Sequence, residues 1–226
     1  MKPILFNTEM VKAILDGRKT VTRRLIKEIP LQAPYFEDYD GKAMASDGFG
    51  DWHPAEHFCR IQPGEILYVR ETWKHYTTGT AGPGLIDGYL YKADEPQDTS
   101  GMLVEGRWRP SLHMPKDAAR IFLRVTDVRA ERLQDMTEDD VVAEGAEPLI
   151  TGCEHMDFSV VPPEPCYNTY ERCKDCIINY GYPELFGNKV WNHTIKPADI
   201  GRYGWDANPW VWVISFERCN PYGKGE

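Results

Sequence analysis

No run of apolar residues in this chain approaches the ~18 needed to cross a bilayer. The opening Met1-Lys-Pro-Ile-Leu-Phe-Asn-Thr-Glu9 holds an apolar stretch far too short for a secretory signal, so a soluble, cytoplasmic protein with no membrane partner is expected. Internal repeats and low-complexity tracts are absent, which sets repeat architectures aside. Positive charge is scarce: 26 Lys and Arg face 35 Asp and Glu, giving a net charge of −9. An acidic bulk field repels long duplex nucleic acid, while a small nucleoside or a short single strand touching a local basic patch remains compatible. With 42% hydrophobic and 12% aromatic residues, the 226-residue chain can build a packed core, and global disorder is not expected.

The scarce positive charge is gathered in one place. Residues 1–27 carry Lys2, Lys12, Arg18, Lys19, Arg23, Arg24 and Lys27 against Glu9 and Asp16. A short amphipathic segment, Thr8–Asp16, precedes the basic run. Met10, Val11, Ile14 and Leu15 recur at helical spacing, Thr8 suits an N-cap, and Gly17 suits a left-handed stop. The run Gly17-Arg-Lys-Thr-Val-Thr-Arg-Arg24 is thus launched from a helix end. It fits a phosphate or another anionic ligand, and equally a solvated basic edge that discourages sheet aggregation.

The rest of the chain alternates strand-like blocks with long irregular stretches. Residues 28–60 read as a loop or insertion. A strand is expected over Glu65–Trp73, with Arg70 and Glu71 near its end, where polar groups can reach a cleft. Residues 77–88 read as loop and Gly88–Ala93 as a short strand. Trp108–Pro115 reads as an ordered loop packed by Trp108, Leu112 and Met114. In Ala119–Arg129, Ile121, Leu123 and Val125 alternate with polar positions, which gives the clearest strand, and Arg120 and Arg124 share a face. Trp210–Arg218 is apolar on both faces as far as Ile214, the signature of a central strand. Between these two lies a capped helix, with Thr137 as N-cap, Asp140 three residues on and Gly145 as stop. Glu144 sits at its C-terminal end, where the helix dipole disfavours a carboxylate by ~0.3–1 kcal/mol. An exposed glutamate there would need no explanation. The expected class is α+β: a closed or nearly closed small β-barrel, flanking helices, and long irregular insertions near 28–60, 74–118 and 146–205 in a single domain.

Lys19, Thr22 and Glu144 supply a cation, a hydroxyl and a carboxylate, which is a workable hydrolytic set. Lys19 and Thr22 are three apart and would face opposite sides of an ideal strand, so the run must bend after Gly17 for both to meet one ligand. The chain resembles the ASCH domain family, whose fold is a PUA-like β-barrel. The likeness rests on Leu15-Asp-Gly-Arg-Lys-Thr-Val-Thr-Arg23, Pro63-Gly-Glu-Ile-Leu-Tyr-Val-Arg70, Val125-Thr-Asp-Val128, Met136-Thr-Glu-Asp-Asp-Val-Val-Ala-Glu-Gly145 and the closing Trp-Val-Ile-Ser-Phe216, over roughly half the chain. The resemblance to the small bacterial amidohydrolases of N4-acetylcytidine implies catalytic roles for Lys19, Thr22 and Glu144. It implies hydrolysis of a non-peptide C–N bond, an N4-acyl group on a modified cytosine nucleoside, with no catalytic cofactor. Arg18, Thr20, Arg23, Arg70 and Glu71 are the accompanying substrate-binding candidates. In length the chain looks more like the larger ASCH proteins of phages and prophages. Two alternatives therefore stand beside hydrolysis: an RNA-binding protein or ribonuclease using the same basic pocket on short single-stranded RNA, and a non-enzymatic phage or prophage accessory protein.

Cys153, Cys166, Cys173 and Cys176 crowd into one stretch and include a Cys-x-x-Cys pair. In a reducing compartment this points to a structural zinc site, with His155 able to replace Cys153. Cys59 and Cys219 read as packing residues. His113 reads as a hydrogen-bonded loop histidine. Of Trp205, Trp210 and Trp212, all able to stack on a base, at least two are expected in the core.

Overall fold

The computed structural model describes residues 1–26, 36–39, 42–46, 51–78, 86–95, 102–104, 106–146, 156–157, 164–165 and 182–221. The chain divides into two compact units: Met1–Thr20, Arg60–Val128 and Ile214–Glu226 form the first, Val21–Cys59 and Arg129–Val213 the second. Among the described residues the strands are β1 (Lys2–Leu5), β2 (Val21–Leu25), β3 (Phe36–Tyr39), β4 (Lys42–Ser46), β5 (Trp52–Pro54), β6 (Ile66–Arg70), β7 (Trp73–Thr78), β8 (Ile86–Tyr91), β9 (Met102–Val104), β10 (Phe122–Arg132), β11 (Met156–Asp157), β12 (Glu164–Pro165) and β13 (Trp210–Arg218). The main helices are α1 (Thr8–Leu15), α2 (Glu138–Ala143) and α3 (Tyr182–Phe186). The protein is therefore mixed α+β. Its largest sheet has the open order β1-β6-β10-β13-β2, and β13 takes the interior place its two-faced apolar pattern demands.

In the first unit β1 runs parallel to β6, with Ile4 opposite Val69, and β6 runs antiparallel to β10, with Leu67 opposite Leu123. The alternation read in the sequence decides which face is buried: Ile121, Leu123 and Val125 lie in the core while Arg124 and Thr126 face solvent. Helix α1 buries Val11, Ala13 and Ile14. Its N-cap is Asn7 rather than Thr8: Asn7 has extended backbone and accepts a 2.8 Å hydrogen bond from the Met10 amide, while Thr8 is already helical. The strand expected over 65–73 is two strands. The chain leaves the first sheet after Arg70, and β7 enters a separate sheet of order β8-β7-β9. The loop 108–115 is ordered by Met114, which is buried, whereas Leu112 is exposed and takes no part in the packing.

In the second unit the stretch expected to be irregular contains a three-stranded antiparallel sheet, β3-β4-β5, followed by a short 3-10 turn over Ala55–Phe58. Strands of three to five residues are too short to show a period against the surrounding Gly, Asp and Pro. The core of this unit joins Val21 from β2, Leu133 and Met136, Val141 from α2, Phe186 from α3, Trp191, Trp205, and Val211 and Val213 from β13. Of the three tryptophans expected to share between core and ligand, Trp205 alone is buried. Trp210 and Trp212 are half-buried, and Trp210 carries the Arg132 guanidinium 4.5 Å from its ring centroid.

Helix α3 widens into a π-turn over Gly187–Trp191, where Trp205 packs directly on Gly187. A Cβ at position 187 would meet the indole at 2.1 Å, whereas one at Gly201 would meet nothing within 4 Å. Gly187→Ala should therefore lower the urea-unfolding free energy by about 1–3 kcal/mol through overpacking. Gly201→Ala, in the helical turn Ile200–Tyr203, should leave it unchanged or raise it by up to about 1 kcal/mol. Equal effects of the two substitutions would contradict this packing.

Candidate functional site

The basic run leaves α1 by a sharp turn. Gly17 adopts φ +76°, and the amides of Arg18 and Lys19 both donate to the Ala13 carbonyl, at 2.9 and 3.0 Å. Residues 17–20 are thus outside any strand, so the strict alternation of strand faces does not apply to Lys19. Within the first unit Lys19 is buried, only 2% exposed, with its ammonium 5.7 Å from the centroid of Phe6. Arg18 pairs with Asp16 at 3.0 Å. Thr20 is exposed, and its carbonyl accepts from the Phe216 amide at 2.9 Å.

Thr22 and Arg23 lie in β2 of the second unit and are buried, at 2% and 4% exposure. Glu144, the C-cap residue of α2, is buried as well. The arrangement offsets the unfavourable helix-end position of this carboxylate. The Arg23 backbone N–H donates to Glu144 Oε1 at 2.7 Å, and the Arg23 Nη1 stands 3.5 Å from the same oxygen. The neighbouring Arg24 adds charge: burial pushes its guanidinium below its ordinary value, and the charge of Glu144 opposes that shift.

Two further carboxylates, which spacing alone does not reveal, complete the surroundings of Arg23. Its Nη2 lies 3.1 Å from Asp140 Oδ1 and 3.5 Å from Glu131 Oε2, while Arg129 pairs with Glu131 and stands 3.4 Å from Asp140. The Nε, Nη1 and Nη2 atoms of Arg23 are buried and donate no aligned hydrogen bond among the described residues. Proximity of opposite charge helps to hold this guanidinium. Asp140 has two tasks. It closes the capping box of α2, accepting the Thr137 amide at 3.0 Å and hydroxyl at 2.8 Å, and it faces Arg23. Burial alone would raise its carboxyl, but the Thr137 bonds and the Arg23 charge outweigh burial and hold it below the usual value.

Arg70 and Glu71, in the first unit, have other partners. Arg70 Nε donates to the Met114 carbonyl at 2.9 Å. The Glu71 carboxylate, 1% exposed, receives two bonds from Arg120, at 2.9 and 3.0 Å, and Arg120 also pairs with Asp94. The ring of Tyr91 lies 3.9 Å from that guanidinium. Burial raises the Glu71 carboxyl above its ordinary value against the opposing pull of Arg120, and burial pushes the Tyr91 hydroxyl up to about 12. The alternation that places Arg120 beside Arg124 shows only its face; Arg120 lies just before β10 and Glu71 just after β6, and the fold brings the two together. The proposed metal ligands Cys153, Cys166, Cys173 and Cys176, with His155, lie outside the described residues. Cys59 is buried, in keeping with a packing role.

Removing the Arg23 guanidinium leaves Glu131, Asp140 and Glu144 without their central cation. Arg23→Met should lower the urea-unfolding free energy at pH 7 by about 3–5 kcal/mol. Because the Asp140 carboxyl is depressed in the fold, its stabilising effect is complete above the unfolded value of about 3.9 and is lost as pH falls through the folded value. Unfolding midpoints measured from neutral to acid pH should therefore fall on the acid side in the parent chain and fall less steeply in Arg23→Met. A parent-like midpoint for the variant at pH 7 would contradict the cluster. The chain matches no family model, no curated protein and no solved structure, so the functional reading rests on these side chains themselves.

Proposed function

We propose that the protein is an ASCH-type, PUA-like protein that hydrolyses an N4-acyl group from a modified cytosine nucleoside, with Lys19, Thr22 and Glu144 as its reacting groups. One observation carries the reading: two cations of the basic run, Lys19 and Arg23, are buried. A solvated edge would leave its cations in water, yet Lys19 and Arg23 are 2% and 4% exposed. Withdrawing an ammonium and a guanidinium from water costs several kcal/mol each before compensation, and such violations of local preference are concentrated at functional sites. Glu144 fits the same pattern, being a helix-end carboxylate buried with Arg23 as its donor. Gly17 turns the chain with φ +76°, so Lys19 precedes the strand that holds Thr22.

In the proposed reaction a water molecule adds to the acyl carbon as Glu144 takes its proton. The C–N bond then breaks, the proton passes from Glu144 to N4 of the base, and the acyl group leaves as a carboxylic acid that gives its remaining proton to solvent. Thr22, next in sequence to the residue bonded to Glu144, orients the water, and the Lys19 ammonium stabilises the oxyanion. The location proposed is the cytoplasm. No described helix is long and apolar enough to cross a membrane.

Incubation with N4-acetylcytidine should release cytidine and acetate. Glu144→Gln and Lys19→Met should each lower kcat by about 10²–10⁴-fold. Circular dichroism and urea midpoints separate loss of chemistry from loss of fold. A folded parent chain that releases no cytidine would overturn the reading. The four clustered cysteines are further proposed, from their spacing alone, to hold one structural zinc ion. Elemental analysis should find one zinc per chain, and a chelator should lower the melting temperature; a metal-free chain of unchanged stability would refute it.

A further inference from the structure

A second concentration of positive charge lies wholly within the first unit. A cleft of ≈ 640 Å³ is lined by Gly106, Arg107, Trp108, Arg109, Pro110 and His113. Arg107, Arg109 and His113 are exposed and Trp108 is half-buried. Two lysines from the adjoining sheet gather at the indole: the ammonium of Lys74, on β7, lies 4.6 Å from the Trp108 ring centroid, and that of Lys92, just past β8, lies 5.4 Å from it. Cation–π contact of this kind restrains side chains that would otherwise be disordered in water, which lowers the entropy lost when they bind a ligand. The guanidinium of Arg109 is similarly placed, 5.0 Å from the centroid of Trp73.

Part of this charge is paired. Glu95 accepts from the Trp108 indole N–H at 3.1 Å and pairs with Lys92 at 3.3 Å. No carboxylate among the described residues pairs with Lys74 or Arg107. Flat groups stand among the cations: the indole of Trp108 and the guanidinium planes of Arg107 and Arg109. Such a set serves both parts of a nucleotide, since lysine and arginine meet phosphates while indole and guanidinium planes stack on bases. An acidic peptide would use the charges and leave the planar surfaces idle. A duplex would present its phosphates with its bases hidden, against the repulsion of an acidic protein.

We propose that this cleft binds a short single-stranded nucleic acid, with Lys74, Lys92, Arg107 and Arg109 at the phosphates and a base stacked against the planar groups. The proposal uses none of Lys19, Thr22 and Glu144 and does not depend on the acyl-hydrolase reading. A failure of nucleoside hydrolysis would leave it standing, and the reverse also holds.

Fluorescence anisotropy of the full chain with labelled ten-nucleotide RNA and DNA strands provides the test. Three neutralised phosphates give a slope of about −2 in log affinity against log salt, so binding should weaken about 20-fold between about 50 and 200 mM salt. The surface double variant Lys74→Glu/Arg107→Glu should lose at least about tenfold in affinity, while Lys12→Glu, on the exposed side of α1, should stay within about twofold. Binding of either RNA or DNA with this profile supports the proposal, and preference for RNA would assign the strand type. Three results would overturn it: no salt-sensitive binding by the parent chain, no loss in the double variant, or equally strong competition by polyglutamate of matched charge.

Discussion

The arrangement at β2 and α2 depends on one buried cation. Arg23 stands among Glu131, Asp140 and Glu144, and its own backbone N–H anchors the last of these. A guanidinium withdrawn from water is tolerable only beside opposite charge, and three carboxylates could not be packed together without a cation between them. Each side therefore makes the burial of the other possible. The same contact settles where β2 and α2 lie within their unit, because Asp140 and Glu144 occupy adjacent turns of one helix face. Asp140 is further held by the Thr137 cap, so the start of the helix and the ion cluster are a single piece of structure.

Burial of this cluster changes the meaning of the residues around it. In the sequence, Arg23 is one of several cations in a basic patch, and a solvated edge explains the patch equally well. In the fold the run is divided by task. Arg18 remains at the surface beside Asp16, Arg23 clamps carboxylates, and Lys19 is enclosed. A patch built only to repel neighbouring strands would have no reason to enclose its charges. The acyl-hydrolase proposal draws on that difference, and it assigns to Glu144 a role consistent with a carboxylate held rigidly by a backbone donor.

Much of this was legible in the sequence where a short-range rule governs the structure. The β10 alternation, the Thr137–Asp140 capping box, the left-handed stops at Gly17 and Gly145 and the interior place of β13 all follow from local periodicity or cap chemistry. The misreadings have equally specific causes. Asn7 and Thr8 are both good caps, and only the backbone conformation distinguishes them. The sheet β3-β4-β5 is built from strands too short to show a period. Leu112 reads in the sequence as one of the residues that pack its loop, yet it is exposed while Met114 is buried. Partners distant in sequence are the least accessible: neither Glu131 and Asp140 around Arg23 nor Arg120 and Asp94 around Glu71 can be chosen from spacing, because tertiary packing of separate elements brings them together.

The central claim is that Lys19 and Arg23 of the basic run are enclosed. Competitive acylation of lysines in the native protein, followed by peptide mass spectrometry, reads this directly. Lys12, which lies in the same segment on α1 with its side chain 42% exposed, provides an internal reference. Lys19 should react at least about tenfold more slowly than Lys12 in the folded chain and at a similar rate once urea has unfolded it, in keeping with the cost of exposing a buried amine. Equal labelling of the two lysines in the folded protein would contradict the account.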